Sequence, residues 1–455
     1  MADEGDVTSH GGAGAIDLEA ALERLPLSGR PFWVVVIMAA VLIADGFDII
    51  LLGFVAPAVA REFGLSHTGM GAVLTASLIG VAAGGFLGGY YGDRWGRRTI
   101  IAISLVLFGG MTLVSALAHD IMLFSASRLI AGLGLGAATP NAAALMTEML
   151  PGKWRNQITT LAYAASTIGT TLAGLLARDM LPQWGWRGLF VAGAILPLAI
   201  CVLVLLLVPE SPKFLASLAG GAPRAAKALN RLMGYAAYAP GTRFHMPATN
   251  RKGRFADLFS PAYRRDTICI ALMIFMILFT WVALGNWGTI VLTALGYDLK
   301  AAVSIMLGYN LAGLAGAVGT ALLLRRFGSR RIFTILAIVS MMTAGLLGFL
   351  LTSGPVALGL LFWGILVMGA ALTALLQASY PVAANAFPTD FRALGLGSTF
   401  GFGRLGAVSS SMVTALLMSK GGPPLFFIGI AVASAGVLVA LLAVRRHIAP
   451  AAKAA

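Results

Sequence analysis

Asp93-Arg94-Trp95-Gly96-Arg97-Arg98 and Arg325-Arg326-Phe327-Gly328-Ser329-Arg330 are two versions of one short basic stretch, 232 residues apart in a chain of 455. Each interrupts long apolar runs. A second pair recurs at nearly the same distance: Pro151-Gly152-Lys153-Trp154-Arg155 and Pro388-Thr389-Asp390-Phe391-Arg392 both read Pro-x-x-x-Arg, 237 residues apart. Two motifs at nearly one offset imply parallel duplicated halves. That is the arrangement of transporters whose site lies at mid-membrane between two bundles.

Outward from these gaps the chain resolves into twelve apolar segments, roughly 32–59, 68–91, 99–117, 121–147, 157–177, 187–208, 267–294, 301–324, 332–352, 356–379, 391–418 and 424–444. Each is long enough to cross a bilayer as a helix. The expected fold is all-α integral membrane, with twelve transmembrane helices in two parallel-repeat six-helix bundles. The division is a disordered tail over 1–30, a first bundle over 31–208, an inter-bundle loop with short surface helices over 209–266, a second bundle over 267–445 and a tail over 446–455.

Composition agrees: 58% of the residues are hydrophobic and only 11% charged, with a mean hydropathy of +0.88. No soluble globular domain needs that balance. The net charge of +14 does not mark a nucleic-acid binder, because the basic residues fall in the short gaps between apolar runs. With both termini cytoplasmic, 25 of the 32 Lys and Arg lie inside, and five lie outside: Arg61, Arg178, Arg187, Lys300 and Lys420. The positive-inside rule therefore sets both termini in the cytoplasm. The start of the chain lacks the basic end and short apolar core of a cleaved signal peptide.

Other chemistries find no residues to carry them. Cys201 and Cys269 lie in apolar runs, so a disulfide is not expected. All five histidines fall at loops or tails, which leaves no His-based metal site and no intramembrane His relay. There is no HExxH, no nucleophile–base pair and no phosphate-binding Gly-x-x-x-x-Gly-Lys-Ser/Thr, so neither an enzyme nor an ATP-driven pump is expected.

The chemistry concentrates on four charges within apolar runs. Asp45 and Asp48, in Asp45-Gly46-Phe47-Asp48, are three apart and share a helix face. Arg128 and Arg404 lie in the fourth and eleventh segments. An ionisable group inside a membrane is costly and points to function. A carboxylate that alternately meets and loses an arginine is a proton switch, and Asp48 is assigned that role first, Asp45 second. Arg404 is assigned to a substrate carboxylate, which a guanidinium can bind bidentately. Phe47, Tyr163, Asn286, Trp287, Tyr309, Asn310, Gln377, Tyr380, Phe400 and Phe402 are the candidate walls of a cavity, and their aromatic surfaces suit a flat ring.

Gly88-Gly89-Tyr90-Tyr91-Gly92-Asp93-Arg94-Trp95-Gly96-Arg97-Arg98 resembles the loop 2–3 signature of the major facilitator superfamily. Within that superfamily three stretches look like the aromatic acid:proton symporters of the benzoate, 4-hydroxybenzoate and protocatechuate type. They are Asp45–Asp48, Arg128 to Asn141 followed by Glu148, and Phe387 to Gly395 leading to Gly401–Gly406. Asn286-Trp287-Gly288-Thr289-Ile290 matches that family only in part, which bears on the substrate more than on the mechanism. The resemblance implies that Arg128 pairs with Asp48, as the matching residues do in related sugar symporters. It also implies a cytoplasmic gate of Gly89, Asp93, Arg94, Arg97, Arg98, Glu148, Arg155, Glu210 and Arg392 that latches the halves while the transporter is open outward. The implied protein is a secondary active importer of a small organic anion, foremost an aromatic carboxylate, by proton symport with alternating access. It would be a monomer in the inner membrane of a bacterium, among lipid, with no cofactor beyond the coupling proton. A same-fold carrier for a niacin-like acid, a sugar or a drug is the alternative, and a non-transporting sensor is a more distant one.

Overall fold

The computed structural model describes residues 16–26, 28–239, 242–245, 255–388 and 391–448. Of the candidate residues, the side chains of Arg155 and Tyr163 lie outside what it describes. The helices are α1 (Leu18–Glu23), α2 (Arg30–Glu62), α3 (His67–Trp95), α4 (Arg97–Ala116), α5 (Ile121–Glu148), α6 (Gly152–Leu207), α7 (Pro212–Ser217), α8 (Ala222–Met233), α9 (Arg264–Ala294), α10 (Leu299–Phe327), α11 (Ser329–Ser353), α12 (Leu358–Ala386) and α13 (Arg392–Ala443). Among the described residues ten helices are long and apolar enough to cross a membrane. The fifth and sixth apolar segments join into α6 and the eleventh and twelfth into α13. The joins are sharp kinks at Gly185 (φ 65°) and Gly422 (φ 60°), where glycine accepts a backbone that a side chain would strain. The expected loops at these two places are therefore kinks rather than gaps.

Side-chain caps mark several helix starts. Ser66 Oγ accepts from the Gly69 amide at 3.2 Å, Asp120 from Leu123 at 2.8 Å and Asp298 from Ala301 at 3.3 Å. Each satisfies an amide that has no partner in the first helical turn.

α2–α6 pack on one another, as do α9–α13. The two groups meet where α2 crosses α9, α3 lies on α13 and α6 lies on α10. Their cores differ at the two ends. At the arginine-poor end one hydrophobic core runs through both groups, with Phe54, Val55, Val59, Ala173 and Trp186 in it beside Leu284, Trp287, Val291, Met306 and Ala415. At the arginine-rich end there are two cores, one within α2–α6 and its appended segments and one within α9–α13. The bundles are therefore sealed together at one end and separate at the other.

The first residues differ from the disordered tail read from the sequence. Ile16–Asp17 pairs in parallel with Phe244–His245, and α1 buries Leu18, Ala21 and Leu22. With Leu25 these join Met149, Leu229, Leu232 and Met233 in the core of the first bundle. Lys213 pairs with Glu19, and Arg30 donates to the Arg231 carbonyl at 2.9 Å. The apolar area covered outweighs the polar start. The end of the chain is also tied down: the Ser329 amide donates to the Ile448 carbonyl at 3.0 Å.

Candidate functional site

Asp48 and Arg128 form an ion pair at 2.5 Å, with side-chain exposures of 2% and 0%. Arg128 also donates to the Thr112 hydroxyl at 3.3 Å, and its guanidinium lies 5.2 Å from the centre of the Phe190 ring. That ring belongs to an edge-packed cluster with Phe124 and Trp186, which roofs the pair on the arginine-poor side. A buried pair of this kind holds only because each charge has the other.

Asp45 faces a different environment one turn along. Its carboxylate accepts from the Thr139 hydroxyl at 2.8 Å and is within electrostatic reach of Arg404. Arg404 is carried by α13 of the second bundle, yet a β-carbon at Gly85 of α3 would lie 1.8 Å from its Nη1. The missing side chain at Gly85 is what lets the guanidinium lie against the first bundle. Tyr380 is also within electrostatic reach of Arg404 and Asp45. Its ring stacks on Phe400 with centroids 4.0 Å apart and planes at 14°. Tyr380 is nevertheless 43% exposed, at the end where a cleft separates the cores of the two bundles. Gly89, Gly397 and Gly401 likewise face open space. Arg404, Tyr380, Phe400 and Asp45 thus meet where the cleft opens toward the arginine-rich end.

Other candidates take different places. Phe47 is buried, and its ring packs against Gly193 of α6; it is core and not cavity wall. Trp287 and Tyr309 lie in the shared core at the sealed end, so they close the far side of the site rather than line its open side. Asn310 is buried and donates to the Met306 carbonyl of its own helix at 3.1 Å. Gln377 is half-buried on α12. Phe402 is 42% exposed and sits 5.6 Å from Phe275, apart from the stacked pair. Asn286 is buried beside Asp48, in a crevice of its own. Thr139, Thr112, Phe190 and Gly85 were not singled out in the sequence, where they are indistinguishable from packing residues.

The basic cluster is paired within the first bundle. Arg97 pairs with Asp93 and, at 3.4 Å, with Glu148, and it donates to Asn141 Oδ1 at 3.4 Å. Glu210 accepts from the Arg98 amide at 3.1 Å. All of these residues precede α9, so among the described residues the cluster clamps α3, α4, α5 and the segment after α6 together without bridging the two bundles. Bridging is not possible while the bundles stand apart at this end. Arg94 lies 4.6 Å from the Tyr90 ring centre, and Arg392 is exposed and donates to the Phe387 carbonyl at 3.2 Å.

Comparison with known proteins follows the same lines. The sequence profile of the Major Facilitator Superfamily matches residues 37–378. A gallate transporter of Pseudomonas putida is 32% identical over 437 residues, covering 94% of this chain and 95% of its own. A 4-hydroxybenzoate transporter of Acinetobacter baylyi is 30% identical over 413 residues, 89% of each chain. A gentisate transporter of Corynebacterium glutamicum is 30% identical over 402 residues, 88% of this chain and 84% of that one. Among solved structures, the xylose transporter of E. coli in a partially occluded inward-open conformation superposes with a TM-score of 0.71 at 20% identity, over 91% of this chain and 98% of that one.

Proposed function

Because the chain belongs to the Major Facilitator Superfamily, whose members are membrane transporters and not enzymes, we propose that it imports an aromatic carboxylate by symport with protons. The observation that carries this reading is the meeting of Arg404 with the stacked Tyr380 and Phe400 in a cleft shared by both bundles. The guanidinium offers two parallel donors to a carboxylate, and the exposed ring face offers offset stacking to an arene. The relatives named as transporters of gallate, 4-hydroxybenzoate and gentisate all handle such acids.

The arginine-rich end is taken as cytoplasmic, with both termini there, in the inner membrane of a bacterium. The sealed end is then external and the structure is inward-facing. A monomer surrounded by lipid suffices for this design, with no cofactor. Asp48 carries the coupling proton: protonation removes the negative charge that holds Arg128, and the pair separates and re-forms as the cycle turns. Asp45 lies closer to the cleft, where it monitors Arg404. An anion in the cleft competes with Asp45 for Arg404, so that binding of the acid is felt by the helix that carries Asp48. One proton per carboxylate cancels an electrical cost of about 2.3 kcal/mol per 100 mV.

Calorimetric binding to the purified chain tests the substrate class. The acid 4-hydroxybenzoate binds, whereas 4-hydroxybenzyl alcohol, which has the ring without the carboxylate, and an aliphatic carboxylate bind at least about tenfold more weakly, since each lacks one of the two contacts. Equal affinity for the alcohol removes Arg404 from the substrate site.

A further inference from the structure

Asp48 has two carboxylate oxygens, and the pairing with Arg128 uses Oδ2. Oδ1 is fully buried and has no hydrogen-bond partner among the described residues. A lone buried carboxylate oxygen costs free energy, so its surroundings matter. Asp48 lines a crevice of about 10 Å³ together with Ser77, Asn286 and apolar side chains such as Leu52, Leu78 and Leu135. Ser77 and Asn286 bring a hydroxyl and a side-chain amide to the lining of the same crevice. A cavity of this size has room for one water, and a buried water needs two to four polar partners. Three are present: one acceptor, one hydroxyl, and one amide that can donate.

The position of Asn286 gives the crevice a mechanical meaning. Ser77 and Asp48 belong to the first bundle and Asn286 to α9 of the second. It sits where α9 crosses α2 at its tightest: a β-carbon at Gly53 would lie 2.7 Å from the Gly285 carbonyl oxygen and 2.8 Å from the Asn286 Cα. The Thr289 hydroxyl donates to the Gly53 carbonyl at the same crossing. Parting the bundles at this end therefore takes Asn286 away from Asp48. The charged groups facing Asp48 are Arg128 of α5 and Asp45 on its own helix. The charged and histidine residues of α3, α6 and α9 fall at the ends of their spans.

We propose that one water in this crevice bridges Asp48 Oδ1 to the Asn286 amide, and that Asn286 is the positioning residue through which the second bundle controls proton access to Asp48. With the external ends together, Asp48 meets a single trapped water, and the proton cannot exchange with the outside. With them apart, Asn286 withdraws and the same oxygen meets bulk water. The coupling role rests on the symport reading above, whereas the water site does not.

The test has two arms on the full-length protein. A cryo-electron microscopy map that resolves ordered water shows one water within hydrogen-bond distance of Asp48 Oδ1 and Asn286, and it is lost in Asn286→Leu. In proteoliposomes, Asn286→Leu lowers gradient-driven accumulation of 4-hydroxybenzoate about tenfold, the effect of stranding a buried polar group, while gradient-free counterflow and half-saturation stay near wild type. Asn286→Ser, which keeps a hydroxyl, restores accumulation. Ser77→Ala reads the same crevice from the other bundle and lowers accumulation if Asn286→Leu fails to fold. Absence of the water from the wild-type map overturns the proposal. Loss of counterflow in step with accumulation also overturns it, because Asn286 is then a substrate ligand or a structural residue. A wild type that holds the water and accumulates no aromatic acid sinks the transport reading and leaves the water site standing.

Discussion

Removing one member of the Asp48–Arg128 pair leaves the other without a counter-charge in a place bulk water does not reach. In Asp48→Asn the Arg128 guanidinium, at 0% exposure, loses its counter-charge and keeps neutral partners: an amide oxygen, the Thr112 hydroxyl at 3.3 Å and the Phe190 ring at 5.2 Å. The last two contacts exist in the wild type, so they offset nothing new. Breaking a buried pair in this way costs about 3–5 kcal/mol, and burial leaves no reason to discount that for solvent screening. Arg128→Gln strands the Asp48 carboxylate at a similar cost. The double variant Asp48→Asn/Arg128→Gln replaces two charges with two amides able to bond to each other, and returns to within about 2 kcal/mol of the wild type. The assay is denaturant unfolding of the purified protein in micelles, read as a double-mutant cycle. A coupling energy below about 0.5 kcal/mol, the range of independent sites, refutes the claim that the pair is held by mutual charge.

Further consequences are as direct. Arg404→Lys keeps the charge and loses the planar fork, so affinity for 4-hydroxybenzoate falls about tenfold; unchanged affinity in calorimetry rules out bidentate binding. Gly53→Ala places a methyl 2.7 Å from the Gly285 carbonyl oxygen and pushes α2 from α9. A cysteine at Ile290, 7% exposed, should then react with a membrane-impermeant thiol reagent, and continued protection contradicts the crossing. Burial pushes the His447 imidazole below its ordinary value, with Arg330 adding to the effect. Its neutral form is bound to Ser329 and the Val444 carbonyl, so the stability it contributes is present above the ordinary histidine value of about 6.5 and is lost as pH falls through that range. Amide exchange at 444–448, corrected for intrinsic rates, should rise toward pH 5, and His447→Gln should abolish the dependence; a flat wild-type profile contradicts it.

The span pattern was legible because a bilayer imposes one long apolar run per crossing, and the four charges stood out for being costly there. Which way a side chain faces was less legible. Phe47 and Trp287 flank the charged and amide residues in sequence, yet on a helix that adjacency turns them onto other faces, into the α6 contact and the sealed end. Tyr380 and Phe400 are separate residues in the sequence, and only the packing of α12 on α13 makes them one stacked surface. The basic cluster was legible as a set of charges, but which of them pair, Arg97 with Glu148 and the Arg98 amide with Glu210, depends on how the first bundle packs. The docking of the first residues had a readable signal: Leu18, Ala21, Leu22 and Leu25 recur at helical spacing behind Asp17, whose side chain accepts from the Glu19 amide at 2.9 Å. It was outweighed by six acidic residues in the first thirty.

On the symport reading, a proton gradient drives an aromatic acid through this chain. Purified protein in liposomes, given labelled 4-hydroxybenzoate or gallate with and without an inward proton gradient, tests it most directly. Accumulation above the external concentration is expected with the gradient, simple equilibration without it, and loss of accumulation in Asp48→Asn with some exchange retained. Accumulation that ignores the gradient, or that survives intact in Asp48→Asn, contradicts it.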